Sequence, residues 1–182
     1  MSNEKEFPTL IRSGYKGRHL AVREAILTEI KPLAVFDFGC ETARLRTILP
    51  ESISYVGYDI KVRQDEHTPA GTVAYQCNFD KETPRIYKKH RSERDCAVAC
   101  GLLEWLHGVP SLINFVGVNF ASAVITYFPL DSPQPHSVNW RSKQGYVSHH
   151  TSKEIRALIE VHYEIVATRE WNQQTIFSCR RG

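Results

Sequence analysis

The sequence lacks the features that mark membrane-spanning, secreted or disulfide-bonded proteins. No run approaches the roughly 18 consecutive apolar residues that cross a membrane, and residues 1–7 lack the apolar core of a secretion signal. The five cysteines, an odd number, include no Cys-x-x-Cys pair, which argues against a disulfide framework. We expect them to pack as small core residues, in a cytoplasmic protein without membrane contacts.

The composition is that of an ordinary globular protein, with 42% hydrophobic and 24% charged residues over 182 positions. This length predicts a single domain over 1–182, with an N-terminal helical segment at 1–32 and the core at 33–182. The net charge of +3 is too small to imply nucleic acid by itself. Segment 81–94 holds six Lys or Arg against two Glu, a pattern more typical of a solvated helix face than of a phosphate-binding patch.

Short apolar runs alternate with helical patterns along the chain. The runs predict five strands, at 33–38, 54–59, 72–77, 95–100 and 121–128. The spacing of apolar residues predicts helices around and between them, at 16–30, 44–49, 82–92 and 102–118. The first strand is a short, largely apolar run with a helix predicted on either side, which is typical of a strand buried on both faces in a parallel sheet.

The C-terminal third adds a capped helix and a hairpin. Thr151 and Glu154 have the spacing of a capping box at the start of a helix over 151–161. Residues 163–170 and 174–180 are two strands with a short connection, which predicts a hairpin. Strands that alternate with helices before such a hairpin define an α/β domain with a mostly parallel sheet.

The turn after the first strand is the place to look for a ligand, because such sheets bind ligands at the carboxyl ends of their strands. The turn keeps only the first glycine of the dinucleotide pattern G-x-G-x-x-G, and Glu41 would repel a pyrophosphate. Asp59 ends the second strand 20 residues after Gly39. A carboxylate at that spacing can accept hydrogen bonds from both hydroxyls of a ribose, so the sequence predicts a nucleoside site without a phosphate cradle.

These residues resemble a known family. VFDFGCETARLRTILPESISYVGYDI (35–60) resembles the cofactor-binding half of class I S-adenosylmethionine-dependent methyltransferases, whose first motif runs roughly D-x-G-C-G-x-G. DCAVACGLLEWL (95–106) is similar to the fourth-strand segment of that family, and the C-terminal helix and hairpin are similar to its last elements. The resemblance covers about residues 15–181. It implies a Rossmann-like, doubly wound, mostly parallel seven-stranded sheet with a C-terminal antiparallel hairpin.

The resemblance also implies S-adenosyl-L-methionine as the cofactor and assigns residues to it. The first-strand turn would line the methionine part, Asp59 the ribose, and Ile60 and Asn78 the adenine. The end of the fourth strand would pass the cofactor, and Glu104 would continue that motif toward the methyl acceptor. The implied cofactor-binding residues are Asp37, Gly39, Cys40, Glu41, Asp59, Ile60, Asn78, Cys100, Gly101 and Leu103; no metal is implied.

Glu41 and Ala43 depart from the family's glycines. Where the backbone needs a positive φ, Glu41 costs roughly 1 kcal/mol or more of strain. Its carboxylate would then pair with the cofactor's positive charges or with Arg44. Three interpretations stay open: a working site with altered turn geometry, a weakened site, or a site that has lost its cofactor.

An oxygen acceptor must lose a proton near neutral pH, a role that suits histidine. His149 and His150 stand just before the last helix, at the end of the 128–150 segment, which predicts a lid because long loops in small domains are often functional. His107 follows the fourth-strand motif. These three histidines are candidate general bases, and a surface or capping role is an equal alternative for each.

The sequence thus predicts transfer of a methyl group from S-adenosylmethionine to an O or N atom of a small-molecule acceptor. A non-catalytic module with the same fold is the alternative that Glu41 favours. An RNA methyltransferase is a third, supported by the basic segment 81–94 but by no base-methylation motif. A homodimer or another protein partner would supply further acceptor contacts, since little of the chain is left over for them.

Overall fold

The computed structural model describes residues 14–63, 68–86, 92–133 and 135–182. Its five α-helices are α1 (Gly14–Ala25), α2 (Arg44–Ile48), α3 (Val109–Asn119), α4 (Val138–Lys143) and α5 (Ser152–Glu160). Its seven strands are β1 (Ala34–Phe38), β2 (Ser54–Asp59), β3 (Val73–Gln76), β4 (Asp95–Ala99), β5 (Ser122–Tyr127), β6 (Glu164–Trp171) and β7 (Gln174–Arg180). A π-helical turn, Ile26–Ile30, extends α1, and a 3-10 turn, Leu103–Trp105, follows β4.

The strands form one sheet in the order β3-β2-β1-β4-β5-β7-β6. The first five strands pair in parallel, and β7 pairs antiparallel with both β5 and β6. This arrangement confirms the predicted α/β fold, including the C-terminal hairpin. Because the chain runs from β1 outward to β3 and then returns to place β4 on the other side of β1, the strand order reverses between β1 and β4. That reversal opens a crevice at the carboxyl ends of these strands.

The central strands are buried on both faces, as their apolar runs predicted. Every residue of β4 and β5 is buried, because helices cover both faces of the sheet. On one face, Phe36 and Phe38 of β1 pack in a cluster with residues of α3 and α5. On the other face, Val35 packs in a second cluster with residues of α1 and α2. The alternation of side chains along β1 therefore supplies both halves of the core.

The capped helix at the C-terminus is confirmed in detail. The Thr151 hydroxyl accepts a hydrogen bond from the backbone N–H of Glu154 at 3.3 Å, and Glu154 Oε2 accepts one from the N–H of Thr151 at 2.7 Å. The two bonds satisfy donors that the first turn of α5 would otherwise leave unpaired.

The predicted helix over 82–92 is wrong in the part that the structure describes. Residues 82–86 have no regular secondary structure, and residues 87–91 lie outside the described ranges. Pro84 accounts for residues 82–83, because a proline pushes the residue before it, Thr83, out of the helical region; it does not account for residues 85–86, since proline is tolerated in the first turn of a helix. The interpretation of 81–94 as a solvated helix face therefore does not hold for 82–86.

The 128–150 segment, predicted as a loop, contains the short helix α4. Ser137 caps it by accepting a hydrogen bond from the N–H of Trp140 at 3.1 Å. Arg141 of α4 is fully buried, with its guanidinium carbon 4.9 Å from the centre of the Phe128 ring and 5.3 Å from that of Tyr146. This buried cation holds the segment against the sheet as an ordered element.

In the ranges given above, no helix is long and apolar enough to span a bilayer.

Candidate functional site

A cavity of about 680 Å³ opens at the carboxyl ends of the central parallel strands. This volume is in the range of pockets that hold small organic ligands. The cavity lies where the strand order reverses, as expected for a doubly wound sheet. The predicted residues that line it are Gly39, Cys40, Glu41, Asp59, Ile60, Asn78, Cys100 and Gly101.

The turn after β1 has a left-handed backbone at three positions. Gly39 has φ +81°, Glu41 φ +48° and Ala43 φ +55°. A Cβ at Gly39 would come within 3.0 Å of the Leu102 side chain, so both the space and the backbone require glycine there. Glu41 and Ala43 have the same left-handed backbone conformation, which is unfavourable for residues that carry a side chain. The strain expected for a non-glycine residue in this turn is therefore present.

Asp59 holds the turn from the end of β2. Its Oδ2 accepts a hydrogen bond from the N–H of Glu41 at 2.9 Å, and its Oδ1 accepts one from the N–H of Lys61 at 3.0 Å. A carboxylate has about four lone-pair positions, so each oxygen keeps capacity for one more donor. The carboxylate is thus oriented by the backbone and can still accept two hydrogen bonds from a ligand.

The Glu41 side chain turns to solvent rather than to Arg44. Its Oε1 lies 3.6 Å from Nη1 of Arg63, and both side chains are more than half exposed. The Nε of Arg44 donates instead to the Thr42 hydroxyl at 3.3 Å. The expected Glu41–Arg44 pair is therefore replaced by an exposed ion pair, which contributes little stability.

Two residues that the resemblance assigned to the cofactor are buried behind the cavity wall. Asp37 is 3% exposed and its Oδ2 accepts a hydrogen bond from the Tyr55 hydroxyl at 2.7 Å. Burial raises the pKa of Asp37 to about 7, although the Tyr55 hydrogen bond acts in the opposite direction. Leu103 is 1% exposed in the core, and its neighbour Leu102 lines the cavity.

The adenine side of the predicted site is more open. Ile60 is 58% exposed at the rim of the cavity. Asn78 lines the wall, and its Oδ1 accepts a hydrogen bond from the N–H of Asp80 at 3.1 Å. Phe79, which the sequence analysis did not single out, lines the same wall. An apolar ring and an amide side chain at this rim suit a flat heterocycle.

At the end of β4, Gly101 makes room for an arginine from α1. Gly101 has φ +67°, and a Cβ there would overlap the guanidinium of Arg18. The N–H of Gly101 donates to the Thr126 hydroxyl at 2.7 Å, which fixes the strand end. Arg18 also lies 3.4 Å from Oε1 of Gln174, measured from its Nη1. A positive charge therefore stands beside the cavity wall that Cys100 and Gly101 form.

The three candidate histidines are placed outside the described lining of the cavity. Nδ1 of His149 accepts a hydrogen bond from Nε of Arg141 at 3.3 Å, and its Nε2 lies 3.3 Å from the Ser142 hydroxyl. Burial and the Arg141 charge lower the pKa of His149. Both ring nitrogens thus make contacts within the 128–150 segment, which favours a structural role for His149 over that of a general base.

His150 and His107 make backbone contacts near the site. The N–H of His150 donates to the Tyr127 hydroxyl at 2.9 Å, and the N–H of His107 donates to Oδ1 of Asp80 at 2.9 Å. His107 is exposed. Their role as general bases stays a prediction without support from the geometry.

The sequence analysis missed several cavity residues because they come from distant parts of the chain. Arg18 is on α1, Tyr146 follows α4, and Gln174 begins β7. Nothing in their local sequence marks them as site residues. The order of strands, which sets β7 beside β5, was the signal that would have brought Gln174 toward the cavity.

The five cysteines are buried free thiols, as expected. Burial raises the pKa of Cys100 and of Cys96 to about 12, and that of Cys77 to about 11. Thiols with such pKa values are protonated at neutral pH and make poor nucleophiles. Cys40 and Cys100 therefore line the cavity as apolar groups.

Over the described ranges, no group of three His, Cys, Asp or Glu side chains is arranged to hold a metal ion.

The strand order and the position of the cavity define the class I methyltransferase fold. No family model matches the sequence, and no curated protein sequence is significantly similar to it. Solved structures that share the fold include methyltransferases of low sequence identity.

One such structure is 1,6-didemethyltoxoflavin-N1-methyltransferase from Burkholderia thailandensis with bound 1,6-didemethyltoxoflavin and S-adenosylhomocysteine; it is 14% identical with a TM-score of 0.66, over 93% of this chain and 78% of that one. The N-methyltransferase NodS from Bradyrhizobium japonicum, in complex with S-adenosylhomocysteine, is 9% identical with a TM-score of 0.66, over 94% and 90% of the two chains. An S-adenosylmethionine-dependent methyltransferase from Mesorhizobium loti is 17% identical with a TM-score of 0.66, over 92% and 100%.

Proposed function

We propose that this protein transfers a methyl group from S-adenosylmethionine to a nitrogen or oxygen atom of a small molecule. The observation that carries the proposal is the Asp59 carboxylate at the cavity, held by the N–H groups of Glu41 and Lys61 with two positions left to accept hydrogen bonds. Two adjacent hydroxyls of a ribose are the donors that such a carboxylate suits. The solved structures that share the fold support the same cofactor.

The rest of the cavity fits the remaining parts of S-adenosylmethionine. Gly39 and Gly101 follow the ends of β1 and β4, and at these two positions the cavity wall carries no side chain. The Arg18 guanidinium beside Gly101 suits the carboxylate of the methionine part, by a charge-assisted hydrogen bond. Ile60 and Asn78 would hold the adenine. When bound, the cofactor supplies a methyl group on a positively charged sulfur.

The protein's part in such a reaction is mainly to hold two molecules in line, which alone accounts for much of the acceleration of a two-substrate step. The walls at the other side of the cavity, formed by Trp105, Leu106 and Tyr146, are apolar and aromatic. They would exclude water and hold the acceptor against the cofactor. A small acceptor is favoured because the cavity must hold both molecules.

Titration calorimetry with S-adenosylhomocysteine tests the proposal on wild type and on Asp59→Asn. The variant keeps the size of the side chain but replaces one acceptor oxygen with a donor. We expect binding to the wild type in the micromolar range and an affinity about 10- to 100-fold lower in the variant, the effect of losing hydrogen bonds to a charged group. Glu51→Gln, which removes an exposed carboxylate from a turn, is the matched control and should bind like the wild type.

A non-catalytic module with the same fold is the second candidate, and Glu41 at φ +48° is the observation that favours it. A strained residue in the cofactor turn is what a site without selection for binding would accumulate. Absence of heat and of a thermal shift with millimolar S-adenosylhomocysteine would support this candidate and reject the methyltransferase proposal.

A further inference from the structure

Glu104 is a buried carboxyl group at the cavity, on the 3-10 turn after β4. The residue is 1% exposed and lines the cavity. Its Oε1 accepts a hydrogen bond from the N–H of Phe128 at 2.8 Å and lies 3.4 Å from Nε2 of Gln174. Its backbone oxygen accepts hydrogen bonds from the N–H groups of Val147 and Ser148, at 2.9 and 3.1 Å. Both the position and the orientation of the carboxyl group are therefore set by the fold.

The second oxygen of this carboxyl group is different. Oε2 is buried and has no hydrogen-bond partner among the residues that the structure describes. Leaving a buried polar atom unpaired costs free energy, so such atoms in native proteins call for an explanation. Packing of the 128–150 segment needs only Oε1 and the backbone oxygen of Glu104. Oε2 therefore keeps its full hydrogen-bonding capacity, in a residue that lines the cavity.

The electrostatic surroundings favour a proton-accepting role. Burial raises the pKa of Glu104, and the charges of Arg18 on α1 and Arg141 on α4 act against that increase. A carboxylate with a raised pKa binds a proton more strongly than an exposed one. It is a better partner for an N–H or O–H group that must give up its proton.

The neighbouring walls indicate the shape of the ligand. Trp105 and Tyr146 line the cavity beside Glu104, with their ring centres 5.1 Å apart in an edge-to-face arrangement. Trp105 is 49% exposed, so a face of the indole is open to a ligand. Aromatic side chains of this kind bind flat apolar rings by stacking or edge contacts.

We propose that Glu104 is the residue that recognises the methyl acceptor, and that the acceptor is a flat ring compound whose N–H or O–H group donates a hydrogen bond to Oε2. This inference rests on the proposed methyltransferase function and identifies its acceptor class. During transfer the bond between the acceptor's nitrogen or oxygen and its hydrogen breaks, and the electron pair stays on that atom as it takes up the methyl group. The proton forms a bond with Oε2. None of the three candidate histidines is needed for this step.

The test compares pairs of ring compounds that differ by one methyl group: phenol with anisole, indole with 1-methylindole, and benzimidazole with 1-methylbenzimidazole. Ligand-observed NMR measures their affinity for protein saturated with S-adenosylhomocysteine. We expect at least one N–H or O–H compound to bind the wild type about 10-fold more tightly than its methylated partner. This is the effect expected for a hydrogen bond to a buried group that is otherwise unpaired.

Glu104→Gln should reduce that preference to less than about two-fold. The glutamine oxygen can still accept the hydrogen bond from the Phe128 N–H. The NH₂ group then takes the place of Oε2, and because it is a donor it cannot accept the hydrogen bond from the N–H or O–H group of the ring compound. Glu160→Gln, an exposed change on α5, should keep the wild-type preference. A preference that survives in Glu104→Gln, or a wild type that binds no compound or prefers none, would overturn the proposal.

The measurement on the wild type needs no variant, so a Glu104→Gln protein that fails to fold would leave the proposal testable. Titration with S-adenosylhomocysteine separates the two hypotheses. If Glu104→Gln binds S-adenosylhomocysteine like the wild type but loses the preference for the N–H or O–H compound, the proposed function and the role of Glu104 both stand. If the wild type does not bind it, the proposed function fails irrespective of Glu104.

Discussion

The two sides of the cavity are built in different ways. The side where we propose that the nucleoside binds, called the nucleoside side below, consists of Gly39, Glu41, Asp59, Ile60 and Asn78, which are all within the first three strand–turn units of the sheet. The side where we propose that the methyl acceptor binds, called the acceptor side below, consists of Glu104, Trp105, Tyr146 and Gln174, from a 3-10 turn, a loop after α4 and the last strand. One side is assembled locally, and the other is assembled by long-range packing.

This difference indicates which side of the cavity suits a ligand common to the fold and which suits a ligand specific to this protein. Local turns at strand ends can hold a common ligand in the same way throughout a fold, because the sheet places successive strand ends side by side. A wall assembled from distant segments can change with each segment. The acceptor side is therefore where this chain would acquire its own specificity, while the nucleoside side would be shared.

Substitution of Gly101, where the two sides meet, should have the largest effect. In Gly101→Ala the new Cβ would displace the Arg18 guanidinium, and the left-handed backbone adds roughly 1 kcal/mol of strain. We expect the affinity for S-adenosylhomocysteine to fall by about 10-fold or more, as loss of a charge-assisted hydrogen bond would cause. Calorimetry together with thermal unfolding measures both effects.

Gly71→Ala is the matched control for that variant. Gly71 has φ +77° but no neighbouring atom within 4 Å of the added Cβ. It should show the loss of stability alone, with unchanged affinity. Equal affinities for both variants would show that Arg18 does not contribute to the nucleoside side.

A second prediction concerns Asp37, which is buried beneath the nucleoside side. Its pKa is raised from 3.8 to about 7 in the folded protein, so the folded state holds this proton more tightly than the unfolded state. The corresponding stability is fully present below pH 4 and is lost as the pH rises toward 7. Between pH 5 and 8, Asp37 should lower the free energy of unfolding by about 2 to 3 kcal/mol.

Urea denaturation of wild type and Asp37→Asn at both pH values checks this prediction. The variant should lack the Asp37 contribution and be more stable than the wild type at pH 8. Glu104 has a raised pKa as well, so the variant should retain a loss of the same sign. The raised pKa of Asp37 would be contradicted if the free energy of unfolding of the wild type increased between pH 5 and 8 and that of the variant increased by the same amount.

The smallest effect is expected at Glu41, where the nucleoside side departs from its glycine pattern. Glu41→Gly removes the strain of φ +48° and an exposed ion pair, and we expect a gain of up to about 1 kcal/mol in the free energy of unfolding. Affinity for S-adenosylhomocysteine should stay within about two-fold, because the bond to Asp59 comes from the backbone N–H. Arg63→Gln, which removes the ion pair alone, should change neither the free energy of unfolding nor the affinity for S-adenosylhomocysteine. A large loss of affinity in Glu41→Gly would assign the Glu41 carboxylate to the ligand.

Most of the fold followed from local patterns in the sequence. The two strands of the hairpin, the capped helix α5 and the largely apolar β1 all carry their signals within a few residues. The predicted helix at 82–92 was wrong where the structure describes it, and Pro84 accounts for the absence of a helix at residues 82–83. Asp59 and the turn after β1, which the sequence analysis assigned to a nucleoside, both lie at the cavity, since the sheet places successive strand ends side by side.

The acceptor side could not be predicted in the same way. His149 stood out in the sequence for its chemistry and its position before α5, but its ring nitrogens are taken up by Arg141 and Ser142. That contact depends on how the 128–150 segment packs, which no local pattern encodes. Glu104 belonged to a noticed motif, but its unpaired oxygen is visible only once Phe128 and Gln174 are placed beside it.

The sequence by itself determined the order of strands and helices, the strained turn after β1 and the distance from Gly39 to Asp59, because each depends on neighbouring residues. Only the tertiary structure decided which distant side chains meet. It brought Arg18 to Gly101 and Gln174 to Glu104, and it raised the pKa values of Asp37 and Glu104 by burial. Side-chain contacts and the burial of carboxyl groups depend on packing across the sheet, because the residues that surround each group come from distant parts of the chain.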